Sequence, residues 1–385
     1  MQRNNSFEVS SIATIILSLV LTACGGGSGG GGNNAANTVP VPPTPNPTVV
    51  AYQDLAVYSA SPSASLSEAK EGAASTQHSI SLSSGTIAYT ATAGHLTASA
   101  PQTNAPEASF FYVAYTANNQ VQKNRPVTFF YNGGPGTDTV WLHLGSFGPK
   151  RLATGLPSLA LNGQFAFVDN AESLLNVSDL VFVNAIGTGY SQAIAPNTNA
   201  SFWGVDADAT AFRNFVQRYI AVNGRQESPK FLFGESYGGT RTGVLASLLE
   251  TAGVRLDGVI LQAPGLNMNY GCAPSSLSKC GGQLPTLAAT AQYFQLAPNG
   301  NSNLPAYMQQ MREFNASQYS PALLQKIQPG TPFSSKLLAD LTGFAGLTAQ
   351  DWQTQAGQDN YDLSPFYFIN KLKPGFRVGR LDARV

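Results

Sequence analysis

Three short runs, Asp179–Val183, Lys230–Phe233 and Leu256–Leu261, are nearly continuous in apolar character and rich in β-forming residues. Strands buried on both faces lose the polar alternation of half-exposed ones, so such runs read as inner strands of a parallel sheet. Helical patterns lie between them. Asp206 is placed to cap a helix whose Phe212, Phe215, Val216 and Tyr219 recur at i, i+3, i+4 and i+7, with Gly224 placed to stop it. Residues 240–252 form a second helix that packs through Val244, Leu245, Leu248 and Leu249. Strand, helix, strand, helix, strand with right-handed crossovers specifies an α/β fold.

Upstream, the stretch from His78 to Ala100 alternates in short β-like runs broken at Gly85 and Gly94, which predicts antiparallel hairpins. Phe110–Thr116 and Val127–Tyr131 are further strand candidates. After Gly265 the periodicity weakens into mixed loops and helices, more like a lid than a sheet. The expected division is a core over 51–265 and a lid or cap region over 266–385.

The first fifty residues belong to neither part. Arg3 precedes an apolar stretch from Ile12 to Leu21, too short to span a bilayer but long enough for a signal peptide. Leu21-Thr22-Ala23-Cys24 resembles the lipobox of bacterial lipoproteins, which implies a signal peptide over 1–23 and lipidation at Cys24. Gly25 in place of aspartate favours the outer membrane, facing periplasm or exterior, so a bacterial cell envelope is the expected location. Residues 24–50, glycine-rich and then proline-rich, read as a flexible tether becoming a stiffer spacer. With Cys24 set aside, Cys272 and Cys280 are an even pair suited to a local disulfide in an oxidising compartment; a metal site there would lack histidines. Lys plus Arg and Asp plus Glu number 21 each, so no net field recruits nucleic acid or anionic membrane. The only membrane partner expected is the one reached through the lipid anchor.

Gly-Glu-Ser-Tyr-Gly at 234–238 has the G-x-S-x-G form of a nucleophile elbow. The pattern alone is weak, since Gly26-Gly27-Ser28-Gly29-Gly30 in the tether matches it too. Context separates the two. Ser236 follows an apolar strand and precedes a good helix, so its hydroxyl is expected on a sharp strand-turn-helix bend. Asn132-Gly133-Gly134-Pro135-Gly136 follows the strand ending at Tyr131, and a glycine-rich loop there can aim a backbone N–H at an oxyanion, with the N–H of Tyr237 completing the hole.

Three segments in order, Asn132–Gly136, Gly187-Thr188-Gly189-Tyr190-Ser191 and Gly234–Gly239, resemble the serine carboxypeptidase family. Trp141-Leu142-His143, Gly148-Pro149-Lys150 and Leu284-Pro285-Thr286 are similar to its bacterial branch, and the likeness extends over about residues 75–385. The resemblance implies an α/β-hydrolase fold with a central, mostly parallel sheet, N-terminal hairpins and a lid insertion. It implies Ser236 as nucleophile, the N–H groups of Gly134 and Tyr237 as oxyanion hole, and Asn132 with Glu235 as binders of a substrate's C-terminal carboxylate. A carboxylate beside Glu235 is tolerable when the two share a proton, so binding is expected to improve at acid pH. The implied partners are C-termini of peptides or proteins, from which residues would be released, and no metal or organic cofactor is implied. The pattern departs at Phe130 and Tyr131, at Asn184 and Ala185, and at Leu174, where the family commonly has tryptophan, Asp-Pro and tryptophan respectively, so the carboxylate pocket is expected to differ.

In this fold the triad runs serine, acid, histidine along the chain. The chain's three histidines, His78, His95 and His143, all precede Ser236. His143 is expected to be structural, and His78 and His95 to pair locally or face solvent. Asp340, Asp362 and Asp382 follow, but none sits in a recognisable acid motif. The expectation is therefore a serine carboxypeptidase truncated before its last strands and nearly inactive. The alternatives are another α/β-hydrolase, an esterase or a proline-iminopeptidase type, or a non-catalytic lipoprotein that binds peptides.

Overall fold

The computed structural model describes residues 52–68, 70–101, 103–155, 164–266, 281–325, 332–352 and 371–375. The signal and tether expected over 1–50, Cys24, Cys272, Cys280, Asp362 and Asp382 all lie outside these residues.

Strands β1 (Gly72–Leu82), β2 (Gly85–Ser99) and β3 (Pro106–Ala117) form an antiparallel meander. Strands β4 (Val127–Tyr131), β7 (Asp179–Val183), β9 (Lys230–Glu235) and β10 (Gly258–Gln262) are mutually parallel, and β7 joins them to β3 antiparallel. The order is β1-β2-β3-β7-β4-β9-β10, with β8 (Gln192–Ala193) also on β3. Strands β5 (Lys150–Ala153) and β6 (Ala166–Asp169) pair separately. The chain moves from β4 to β7 on one side, then returns to β9 on the other. That reversal makes the carboxyl ends of β4 and β9 the switch point where open α/β sheets bind ligands.

The inner strands carry the continuous apolar pattern because both faces are covered. Phe129, Tyr131, Val181, Val183 and Leu232 face one core, together with Phe212, Phe215, Val216 and Tyr219 of helix α1 (Val205–Val222) and Leu245 and Leu249 of helix α2 (Tyr237–Thr251). The intervening Phe130, Leu180, Phe182 and Phe233 face a second core with Ile80, Tyr89, Tyr115 and Leu142. The alternation is the period of two that a strand imposes. In the second core Phe130 lies between Phe182 and Phe233 at ring-centroid distances of 4.8 and 4.9 Å. Such pairs add about 0.5–1.5 kcal/mol each beyond area burial.

Helices α3 (Leu284–Tyr293), α4 (Leu304–Phe314), α5 (Ser320–Gln325) and α6 (Ser335–Ala345) follow the sheet. They enclose a third core that includes Leu287, Tyr307, Met311, Leu341 and Trp352. Strand β10 ends the sheet order, and its Val259, Ile260 and Leu261 are exposed.

Three expectations are corrected. Gly94 does not break a strand: it lies inside β2, where a Cβ would come 2.2 Å from the Gly72 carbonyl oxygen, so glycine permits the close β1–β2 approach. Asp206 is not the cap of α1: Gly204 takes that position, and Asp206 lies in the first turn, where a carboxylate meets the positive end of the helix. His95 neither pairs locally nor faces solvent: it is buried in β2, with the Tyr52 hydroxyl 3.0 Å from Nδ1 and the Tyr58 hydroxyl and Tyr190 carbonyl each 3.0 Å from Nε2.

Candidate active site

The register of the parallel ladder builds the site. Tyr131 pairs with Gly234 across β4 and β9, so the next residues, Asn132 and Glu235, emerge side by side at the carboxyl ends of the two strands. Asn132 Nδ2 donates to Glu235 Oε2 at 3.0 Å, and the Gly133 N–H donates to the same oxygen at 3.4 Å. Asn132 Oδ1 accepts from the Leu142 N–H at 3.1 Å, which sets the amide's orientation. Sequence reasoning paired Asn132 with Glu235, and the structure brings them together.

Ser236 comes next, with φ 58° and ψ −121°, a left-handed conformation that a side chain seldom adopts. Such a backbone costs on the order of 1–3 kcal/mol and persists only where its surroundings enforce it. Here the enforcement is visible. The Ser236 N–H donates to the Gln262 carbonyl at 3.0 Å, and its carbonyl accepts from Gly239 at 2.9 Å and Gly265 at 2.8 Å. Tyr237 then opens α2 directly, completing the strand-turn-helix bend at whose helix N-terminus negative charge is favoured.

The glycine loop lies against this bend. A Cβ on Gly133 would come 2.4 Å from the Tyr237 nitrogen and 2.7 Å from the Glu235 carbonyl oxygen, both backbone atoms. Gly134 follows at φ +109° and is exposed. Since the Gly133 N–H is engaged by Glu235, the next donor along the chain is that of Gly134. Gly133→Ala is expected to push the loop off the elbow at about 2 kcal/mol, the usual scale of overpacking. Urea unfolding checks this, and an unchanged midpoint would contradict the close packing.

Electrostatics around the serine come from two buried groups that sequence reasoning passed over. Arg241 of α2 donates from Nε to Asp208 Oδ2 of α1 at 2.8 Å and from Nη1 to the Asn132 carbonyl at 3.0 Å. Burial, then the Asp208 charge, push the Tyr237 phenol up to about 12. The one local signal was a basic residue early in the helix that follows the elbow. Asp138, on the loop after Gly136, is half-buried, and desolvation raises its carboxyl above the usual range.

No described residue hydrogen-bonds to the Ser236 hydroxyl, and each histidine is committed elsewhere. His78 Nε2 lies 2.7 Å from the Thr76 hydroxyl, and its ring stacks on Tyr89. His95 is held by the two tyrosines. His143 is stacked on Phe182 and has the Tyr115 hydroxyl 2.6 Å from Nε2; burial pushes its pKa down to about 3. The expectation that His143 is structural agrees with these contacts. Asp340 pairs with Lys336 at 2.6 Å on α6. Of the positions that depart from the pattern, Phe130 is inside the aromatic stack and Tyr131 is buried with its hydroxyl on Thr242 at 2.7 Å. Asn184 accepts from the Thr139 N–H at 3.0 Å, tying the glycine loop to the end of β7.

The serine carboxypeptidase family model matches residues 83–262. Over that stretch the chain is similar to the serine carboxypeptidases. The match takes in β2 and β3 of the meander, the parallel strands, the glycine loop and the elbow, and ends with β10. Among relatives, the chain is 30% identical over 164 residues to the pheromone-processing carboxypeptidase KEX1 of Metarhizium acridum (strain CQMa 102), covering 41% of this chain and 23% of that protein. It is also similar to the solved prohormone-processing carboxypeptidase KEX1(delta)p of Saccharomyces cerevisiae, with 18% identity, TM-score 0.38, and coverage of 74% of this chain and 64% of that one. A bacterial heroin esterase aligns at 15% identity and TM-score 0.29, over 49% of this chain and 48% of that one. The chain therefore spans under a quarter of the curated relative and under two thirds of the solved carboxypeptidase. The parallel sheet, its strand order and the elbow after β9 make the fold that of an α/β-hydrolase.

Proposed function

We propose that this chain carries the nucleophile, oxyanion and carboxylate-recognition parts of a serine-type carboxypeptidase site. Ser236 is the nucleophile, the Gly134 and Tyr237 N–H groups are the oxyanion donors, and Asn132 with Glu235 captures the C-terminal carboxylate of a peptide. The single observation that carries the reading is the Asn132–Glu235 hydrogen bond at 3.0 Å, immediately beside the strained serine. An esterase has no need of a second carboxyl group next to its nucleophile. A carboxypeptidase does, because a substrate carboxylate and Glu235 can share one proton in a short, strong hydrogen bond.

Chemically, such a site would hold the scissile carbonyl against the two N–H donors and stabilise charge as it develops on the oxygen. With the chain's three histidines engaged elsewhere, proton removal from Ser236 has no imidazole within this sequence. Recognition is thus expected to exceed turnover.

Fluorescence anisotropy with paired peptides, identical except for a free or amidated C-terminus, tests the reading. The free acid is expected to bind about tenfold more tightly, the scale of one hydrogen bond to a charged group. The preference should grow as pH falls from 8 to 5. Equal affinity for both peptides at every pH would remove the carboxypeptidase assignment.

A further inference from the structure

Arg241 is 1% exposed, five residues past the nucleophile. A guanidinium keeps its charge at any working pH, and burying it is costly unless good contacts surround it. Beyond its bonds to Asp208 and the Asn132 carbonyl, its carbon lies 4.3 Å from the Phe212 ring centroid and 5.3 Å from those of Tyr131 and Tyr237. Apolar residues of similar volume often replace such a buried pair at no loss of stability. Folding alone is therefore weak reason for charge at this position.

The carbonyl that Arg241 holds belongs to the peptide unit whose N–H is that of Gly133. In a planar trans peptide the C=O and N–H point in opposite directions. Fixing the Asn132 oxygen toward Arg241 aims the Gly133 N–H the other way, where it meets Glu235 Oε2. A second tie runs parallel to the first: the Tyr131 hydroxyl donates to Thr242 Oγ1, which donates to the Gly238 carbonyl at 2.7 Å. The helix that begins at the nucleophile is thus bolted at consecutive residues to the strand end that carries the carboxylate-binding amide.

We propose that Asp208 and Arg241 are positioning residues, which orient the Asn132–Gly133–Gly134 peptide planes for carboxylate capture and oxyanion binding. This rests on the carboxylate-capture reading above. The clamp makes α2 carry both the serine and the orientation of the donors facing it, so the two halves of the site keep one geometry.

The chain contains its own control. Arg225, 2% exposed, donates to Asp179, to Ser228 Oγ at 2.7 Å and to the Arg125 carbonyl at 2.8 Å. This buried Arg–Asp pair lies at the amino ends of β7 and β9, the opposite end of the sheet from Ser236. Arg241→Lys, Asp208→Asn and Arg225→Lys in the full chain would be compared by hydrogen exchange and by the ratio of free-acid to amide peptide affinity. Two clamp variants keep the test usable should either fail to fold. In Arg241→Lys and Asp208→Asn, amides of residues 132–142 are expected to exchange about tenfold faster while β4 and β9 keep their rates. The free-acid preference should fall about tenfold, one hydrogen bond to a charged group. Arg225→Lys should change neither. Wild-type exchange and wild-type preference in a folded clamp variant would overturn the inference, as would an equal loss of preference in Arg225→Lys. Were the wild type itself indifferent to the free carboxylate, the proposed function would fall, and the exchange rates would still decide whether the clamp exists.

Discussion

Turnover of a peptide with a free C-terminus by this chain is expected to lie on the order of 10⁶-fold below that of a triad-complete serine peptidase. A serine hydroxyl at neutral pH is a poor nucleophile until a base removes its proton. His78, His95 and His143 are the only imidazoles in the sequence, and each is held away from Ser236: His78 by Thr76, His95 by Tyr52, Tyr58 and the Tyr190 carbonyl, and His143 by Tyr115. On the proposed reading the site would retain oxyanion stabilisation and substrate positioning, worth about 10³–10⁴ over water in a comparable enzyme. Steady-state release of the C-terminal amino acid, measured against Ser236→Ala, gives the number. Turnover within a hundredfold of an ordinary peptidase would mean that some other group serves as base.

The second large effect is on stability in acid. Burial against Phe182 lowers the His143 pKa to about 3, from about 6.5 in an exposed chain. In this window the unfolded state binds a proton that the folded state refuses. Stability is therefore complete above pH 6.5 and falls as pH drops toward 3. Each unit costs about 1.4 kcal/mol, or about 2–3 kcal/mol between pH 6.5 and 4.5. Burial lowers the His95 pKa too, adding a loss of the same sign. The Glu71 carboxyl, held down to about 2 by Arg218 and Thr97 against its desolvation, adds its own loss only below its ordinary range near 4.5. Wild type and His143→Gln share every other titrating group over the interval from 6.5 to 4.5, Asp138 with its raised carboxyl included, so their difference isolates His143. Chemical denaturation of the two across that interval should show a shallower slope in the variant; parallel slopes would place the titration elsewhere.

These effects mark the boundary of what the residues alone disclose. Strands β4 and β7 are readable to the residue, because burial on both faces leaves an unbroken apolar run and a turn signal at each end. The elbow is readable because its requirements are local: a strand, two glycines and a helix within a dozen positions. Gly94 misleads, since its reason is the opposing strand rather than a break in its own. His95 misleads for the same cause: its partners Tyr52 and Tyr58 lie 43 and 37 positions away. Asp208 and Arg241 bond across 33 positions, and Arg241 and Asn132 across 109, so their own neighbourhoods do not disclose which groups they hold. Motif spacing reports chemistry carried by one turn of chain. Groups that hold that turn in place come from other elements and become visible only when the sheet assembles.

Chemical rescue tests the central claim most directly. Ser236 should react with a fluorophosphonate only slowly in plain buffer, and added free imidazole should accelerate its labelling in proportion to concentration, with no label on Ser236→Ala. Rapid labelling without imidazole would contradict the absence of a base. No labelling at any imidazole concentration would contradict a serine presented beside working oxyanion donors.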